Sequence, residues 1–423
     1  MKICVLTHTY PRFPGDTNAP FVRNLSLQIA QRGHHVSVIT SFDPAFDIRS
    51  LDRHIRLFLY RYIWPDRFHI LGYSRTIEGN IRFRKRMLLL SPFLFFFGFI
   101  KTLSVARSIK ADILHAHWIL PNGFIGALVS RILGIPLVIT LHGSDVFTAE
   151  KNPLFSLMAR IAGRCALWMT TPSPDHFKRL RRIGVRTDRL EMVPNGTDPV
   201  EFQPDPKTRA EIRKSLGIQD DSILVFALGR MVYVKGFDVL LRAYARVIQQ
   251  NNTIHLVIAG EGAQKEEWMT LAQNLGLKDR VVWPGALDRS QVAQFLSASD
   301  IFVVPSVQHP SGAVDGLPVV IPEAMSSALP IIGSDVGGIP VVVQDGISGI
   351  IVPQRDETSL AEAILKLAHD SALRQSLGEK GRCFVLEKLT WKNLAEHFED
   401  IFCSLSSGLT TPSSFYMDKE TDG

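Results

Sequence analysis

The sequence predicts an α/β protein built from two doubly wound parallel sheets, one in each half of the chain. Three observations carry this. The chain has 423 residues, more than a single hydrophobic core usually organises. In both halves, short apolar runs alternate with segments of helical spacing, and strand–helix–strand succession brings strands together in parallel. Between the halves, residues 199–220 carry Pro199, Pro204 and Pro206 among charges and read as a linker. The expected organisation is an N-terminal domain over 1–198, this linker, a C-terminal domain over 221–385, a closing helix over 386–405 and a disordered tail over 406–423.

Apolar residues make up 46% of the chain and charged residues 21%, which excludes a disordered polymer. The net charge of +6 suits an anionic ligand or an anionic membrane surface. Nucleic acid is not an expected partner, because no basic block is interleaved with aromatics on a recognisable module. Cys4, Cys165, Cys383 and Cys403 are too scattered for a metal knuckle or a disulfide framework. Residues 1–7 read as a strand rather than a secretory signal. The expected setting is therefore reduced and cytoplasmic.

In chain order, residues 3–7 form an apolar run and the first buried strand. A loop with Pro11, Pro14, Gly15, Asp16 and Pro20 follows. Phe21, Leu25, Ile29 and Ala30 then recur at helical spacing until Gly33, and 35–40 is the next strand. The loop after the first strand lies at the ligand-binding edge of such a sheet, but it is no GxGxxG fingerprint. Residues 41–86 read as irregular and basic. Residues 87–100 are the most hydrophobic stretch, with Pro92 and Gly98 inside and Arg82, Arg84, Lys85 and Arg86 before it. The run is too short for a membrane span. It reads either as a helix covered by the domain or as an interfacial segment, 82–103, touching an anionic bilayer.

Residues 113–118 and 137–141 are further strands. His115 and His117 alternate on the first, share a face, and have no acid or Cys cluster to make them metal ligands. The second strand runs into His142, Gly143, Ser144 and Asp145. A His just past a strand end, beside a Gly, is either a polar site or a satisfied structural residue.

In the second half, strand 223–228 leads to Gly229-Arg230 and, four residues on, to Lys235-Gly236. Two cations on a glycine-flanked strand-end loop suit a diphosphate, or form a solvated basic turn. Strand 254–259 ends in Gly-Glu-Gly at 260–262, and strand 301–304 leads into a Gly- and Pro-rich loop. Asp315 lies on that loop, followed by Gly316 and Leu317. Glu323 sits in the first turn of the next helix, just after Pro322. Both carboxylates can face the ligand edge of the sheet; the plainer alternative is a turn residue and a helix-start acid.

An acid, seven residues, then Glu-Ala-Met is a pattern that resembles the retaining family 4 glycosyltransferases. Here it is Asp315, Glu323, Ala324 and Met325. Gly229-Arg230 with Lys235-Gly236, Val-Pro-Asn-Gly at 193–196, the His142-to-Asp145 motif, Gly-Gly-Ile-Pro at 337–340 and the helix at Trp391 are similar to that family as well. The likeness covers roughly residues 1–402. Three features depart from it. Asp315 replaces the usual Glu, as in a branch associated with bacterial surface polysaccharides. Val341 stands where Glu is common, and Pro14-Gly15-Asp16 stands where a Gly-Gly pair is often found.

The resemblance implies a GT-B architecture, two Rossmann-like domains facing a cleft. The co-substrate would be a nucleotide-diphosphate sugar, with no cofactor and no metal. Arg230 and Lys235 would hold the diphosphate, Glu323 the ribose, and Asp315, with Gly316 and Leu317 beside it, the transferred sugar. His142 would lie by the reacting carbon. Gly15, Asp16, His117 and Asp145 would serve the acceptor side. The expected reaction is retaining transfer of a sugar to a glycan or lipid-linked acceptor, in cell-surface polysaccharide or glycolipid synthesis. The expected place is the cytoplasm, with peripheral contact at the inner membrane face where residues 82–103 are the interfacial segment and none where they are a covered helix. The alternatives are a nucleotide-sugar epimerase of the same fold and a non-catalytic nucleotide-sugar sensor.

Overall fold

The structure is a computed structural model that describes residues 1–16, 18–47, 53–69, 71, 81–408 and 415. It divides into two units: Met1–Pro194 with Trp391–Gly423, and Asn195–Thr390.

The sheet of the first unit contains β1 (Lys2–Leu6), β2 (His35–Ser41), β3 (Ile55–Tyr60), β4 (Ile113–His117), β5 (Leu137–Thr140), β6 (Trp168–Thr171) and β7 (Leu190–Met192). The strands are parallel, in the order β3-β2-β1-β4-β5-β6-β7. Its helices are α1 (Pro20–Gln31), α2 (Ile81–Ile109), α3 (Phe124–Leu133), α4 (Ser144–Glu150), α5 (Pro153–Cys165) and α6 (Asp175–Arg182). The inner strands are buried on both faces, so they read as continuous apolar runs.

Two expectations about 41–100 need correction. β3 lies within the stretch read as irregular, and it pairs with β2 from Val36↔Ile55 to Ser41↔Tyr60. As an edge strand it buries only Ile55 and Tyr60 fully and leaves Arg56 exposed, so it lacks a continuous apolar signal. The apolar run after it belongs to one 29-residue helix, α2, which contains Pro92 and continues to Ile109. By length and composition, Leu90–Ile109 is long enough to cross a membrane. Gly98 is a packing residue: a methyl there would lie 3.1 Å from Ile125 Cδ1 and 3.2 Å from Tyr60 Oη. One side of α2 buries Leu94, Thr102, Val105 and Ala106, while Phe93, Phe96, Phe97 and Ile100 remain exposed. The covered-helix expectation therefore describes one face of α2.

The second unit has β8 (Ile223–Leu228), β9 (Ile254–Ala259), β10 (Val281–Val282), β11 (Ile301–Val304), β12 (Ile331–Ser334) and β13 (Gly349–Val352), in the order β10-β9-β8-β11-β12-β13. Around them lie α7 (Pro206–Ser215), α8 (Phe237–Gln250), α9 (Lys265–Asn274), α10 (Arg289–Ala298), α11 (Val320–Ser326), α12 (Ile339–Val342), α13 (Glu357–His369) and α14 (Ser371–Lys388).

α7 occupies the stretch read as a linker. Asp205 caps it by accepting from the Lys207 and Thr208 amides at 3.0 and 3.2 Å, and Pro206 takes the first position. Arg213, buried, reaches Asp300 at 2.9 Å and two carbonyls, those of Gln219 and Ser222, at 2.6 Å each. A buried guanidinium that holds a carboxylate and two carbonyls fastens the helix to the start of β11.

The last helix, α15 (Trp391–Ser406), clusters with the first unit. Its Trp391, Leu394, Phe398, Ile401 and Phe402 share a core with Ile3, Val22, Leu25 and Ile29. Residues 386–388, expected in this helix, end α14 instead. Most of the tail expected to be disordered lies outside the described residues. Phe415, which is described, packs its ring 5.0 Å from His397.

Candidate active site

Each sheet changes strand direction of addition once, between β1 and β4 in the first unit and between β8 and β11 in the second. Ligands of open α/β sheets bind at the carboxyl ends of strands at this switch point. Arg230, Lys235 and Asp315 fall there in the second unit, and Gly15, Asp16 and His117 in the first; His142 and Asp145 follow the next strand, β5, and Glu323 lies on α11.

In the second unit the loop after β8 is braced from two sides. The Met231 amide donates to the Glu261 carbonyl at 2.8 Å, and the Val307 amide, from the loop after β11, donates to the Val234 carbonyl at 2.9 Å. Lys235 closes a short 3-10 turn, and its stem runs over Gly229, where an added Cβ would lie 3.0 Å from Lys235 Cε. A side chain at 229 would crowd that path. Lys235 Nζ thereby reaches Asp315 Oδ2 at 2.5 Å across the switch point. Arg230 is exposed on the same loop.

The backbone of Asp315 and Gly316 is held in turn by the loop after β12. The Gly338 amide donates to the Gly316 carbonyl at 2.5 Å. Gly337, at φ +61°, sits so close that a Cβ would meet the Asp315 carbonyl oxygen at 2.4 Å. Leu317 is buried beneath this turn.

Glu323 lies in α11 and is 8% exposed. Burial raises its pKa to about 7, against the pull of Arg289, whose Nη1 is 3.2 Å away. Arg289 cannot fully compensate, because its Nε also binds Glu201 at 2.5 Å, while its guanidinium lies 4.7 Å over the Phe202 ring. Arg289, Glu201 and Phe202 were not singled out from the sequence. The Asp288–Gln291 capping box marks Arg289 as a first-turn residue, but nothing local links it to a residue 34 positions on.

In the first unit His142 follows the end of β5. Its Nε2 lies 3.1 Å from His117 Nδ1, and its ring is flanked by Trp118 at 4.3 Å and Phe21 at 4.6 Å between centroids. Asp145 is a backbone clamp. Its carboxylate accepts from the Ile119 amide at 2.6 Å and the His142 amide at 3.2 Å, joining the segment after β4 to the segment after β5. Asn122 Nδ2 donates to the His117 carbonyl at 2.7 Å and to His8 Nδ1 at 3.0 Å. Burial pushes His8 down to about 4 and His115 to about 3, and holds His117 and His142 well below the usual imidazole value. The cluster is therefore neutral at physiological pH. His8, Trp118 and Asn122 complete it without having been expected; each is a single residue beyond a strand end with no motif of its own.

Gly15 and Asp16 lie on the loop after β1. Asp16 is buried, which alone would raise its pKa. Bonds from Arg12 Nε at 2.7 Å and the Arg12 amide at 3.0 Å, with others from Asn18, outweigh this and lower it. Asp16 thus shapes its own loop.

Two Rossmann-like sheets with chemical side chains gathered at their switch points make up the GT-B architecture. HepE of Anabaena, solved in complex with UDP, shares this fold: its TM-score to this chain is 0.74 at 19% identity, covering 96% of this chain and 100% of that one. The profile of Glycosyltransferase Family 4 matches residues 19–201, and that of Glycosyl transferases group 1 matches residues 208–384. The chain is similar to the N-acetyl-alpha-D-glucosaminyl L-malate synthase of Bacillus anthracis, at 25% identity over 95% of this chain and 97% of that protein. It is also similar to the GDP-mannose-dependent alpha-(1-6)-phosphatidylinositol monomannoside mannosyltransferase of Mycobacterium tuberculosis, at 32% identity over 64% of this chain and 70% of that enzyme. The chain belongs to the group 1 glycosyltransferases. With transferases as its relatives, the epimerase and sensor alternatives are not favoured.

Proposed function

We propose that this glycosyltransferase transfers a sugar from a nucleotide-diphosphate donor to a glycan or lipid-linked acceptor of the cell surface, with retention of anomeric configuration and without a metal ion. The Lys235–Asp315 bridge at the switch point carries this reading. It sets a cation and a carboxylate 2.5 Å apart, beside the exposed Arg230. A diphosphate drawing Lys235 and Arg230 to its oxygens takes Lys235 away from Asp315 and leaves that carboxylate for a sugar hydroxyl. The two cations then stabilise the negative charge that grows on the diphosphate as the glycosidic bond breaks. Glu323 takes the ribose hydroxyls and His142 the transferred sugar. Gly15, His117 and Asp145 shape the acceptor side, Asp145 through the backbone amides it clamps.

Nucleotide recognition is also supported by the UDP in the HepE structure and by the GDP-mannose and glucosaminyl chemistry in the relatives' names. The malate and phosphatidylinositol monomannoside in the same names support a small or lipid-linked acceptor. The proposed location is the cytoplasm, with α2 against the inner membrane face: Phe93, Phe96, Phe97 and Ile100 follow helical spacing, Trp64 is exposed near them, and Lys101 lies on the same helix.

The direct test is release of nucleoside diphosphate from uridine, guanosine and adenosine diphosphate sugars, with and without lipid-linked acceptors, in the presence of chelator. Acceptor-dependent release that survives chelation, with the donor's anomeric configuration kept in the product, is the expected result. Release that needs a divalent ion, or inverted product, sinks the corresponding part of the reading.

A further inference from the structure

His117 is 2% exposed, and its two ring nitrogens have unlike surroundings. Nδ1 faces His142 Nε2 at 3.1 Å, whereas Nε2 is buried with no hydrogen-bond partner among the described residues. A neutral imidazole carries one N–H and one bare nitrogen, so the pair can be arranged in two ways. If His142 Nε2–H donates, the His117 proton must sit on Nε2, and an N–H is then buried without an acceptor. If His117 Nδ1–H donates, His117 Nε2 is left as a buried lone pair. Orphaned buried donors are rarer than under-used acceptors, which favours the second arrangement.

The pair is held so that it cannot evade this choice. His117 sits in β4, paired with Thr140 of β5, and its carbonyl is taken by Asn122. His142 is fixed by Asp145 through its amide and by Trp118 and Phe21 through its ring. Once Nε2 of His142 accepts from His117, its proton must be on Nδ1.

We infer that His117 is a positioning residue that locks His142 as the Nδ1–H tautomer, so that His142 offers a hydrogen-bond donor, and not an acceptor, to a hydroxyl oxygen of the transferred sugar. The tautomer itself follows from the geometry of the pair; its use rests on the proposed contact between His142 and the sugar.

The experiment is a long-range proton–nitrogen correlation spectrum of the full chain labelled with ¹⁵N histidine, with the His142 signals assigned from their loss in His142→Gln. In the wild type, His142 should show a protonated Nδ1 and a bare Nε2. His117→Leu removes the donor and should shift the His142 proton wholly or partly to Nε2. His117→Asn, whose amide N–H can stand where Nδ1–H stood, should hold the wild-type pattern. Turnover should fall about tenfold in His117→Leu, the usual scale for a residue behind a working imidazole, and recover in His117→Asn. A wild-type His142 protonated on Nε2, or an unchanged pattern in His117→Leu, overturns the inference. The wild-type spectrum decides the matter even if His117→Leu does not fold. A shifted tautomer with unchanged turnover upholds the His117 lock and removes His142 from the sugar instead.

Discussion

Lys235 and Asp315 neutralise one another across two loops, and in the proposed reaction a diphosphate would take the first and a sugar hydroxyl the second. Replacing Lys235 or Arg230 by Ala should lower kcat about 10²-fold or more, the scale for losing one preorganised donor to a developing oxyanion. Steady-state kinetics check this; wild-type rates in both variants would remove the diphosphate from this loop. Glu323 gives a pH prediction. Its pKa of about 7 arises from burial, and hydroxyls bound to its carboxylate would favour the ionised form. Donor binding should therefore release a proton, and affinity should rise with pH through about 7 and then level off. Calorimetry across that range should show the rise in the wild type and its loss in Glu323→Gln. The acid-and-Glu pair was legible in the sequence because both lie on one strand–loop–helix unit. Arg289, which opposes the rise in pKa, was not, since it joins Glu323 only through the fold.

At the scale of elements, the loop after β12 presses against Asp315. Gly337→Ala would place a Cβ 2.4 Å from the Asp315 carbonyl oxygen at a φ of +61°. It should cost about 1–3 kcal/mol of stability and displace Asp315. A lowered Tm together with reduced kcat in a folded variant is the expected outcome; an unchanged Tm would contradict the close packing. α2 carries the other prediction. Burying a Phe is worth roughly 1.5–3 kcal/mol, so Phe96→Glu should weaken binding to anionic vesicles about tenfold or more, and salt should weaken the wild type. Sedimentation with vesicles measures this, and no wild-type binding at low salt would leave α2 without a bilayer. Hydrophobicity marked this stretch in the sequence. It did not show which face is covered, because apolar residues surround the helix and only packing against Ile125 and Tyr60 separates the two sides. β3 and α7 were hidden for the opposite reason. Each is half polar, and each is held by partners distant in sequence, β2 for one and Asp300 for the other.

Over the whole molecule, alternating strands and helices were enough to give two doubly wound sheets, because buried parallel strands write themselves as unbroken apolar runs. The closing helix was legible from its apolar stripe, and that stripe packs with α1. The histidine cluster was legible only in part, since His8, Trp118 and Asn122 become neighbours through sheet order alone. In the proposed reaction, the switch point of the second unit holds a nucleotide-diphosphate sugar and expels its diphosphate onto Arg230 and Lys235. The most direct test is acceptor-dependent release of nucleoside diphosphate, measured side by side in the wild type and Lys235→Ala. Release by the wild type that needs acceptor and falls about 10²-fold in the variant is the predicted result. Equal release by both proteins, or donor binding without release under any acceptor, would contradict it.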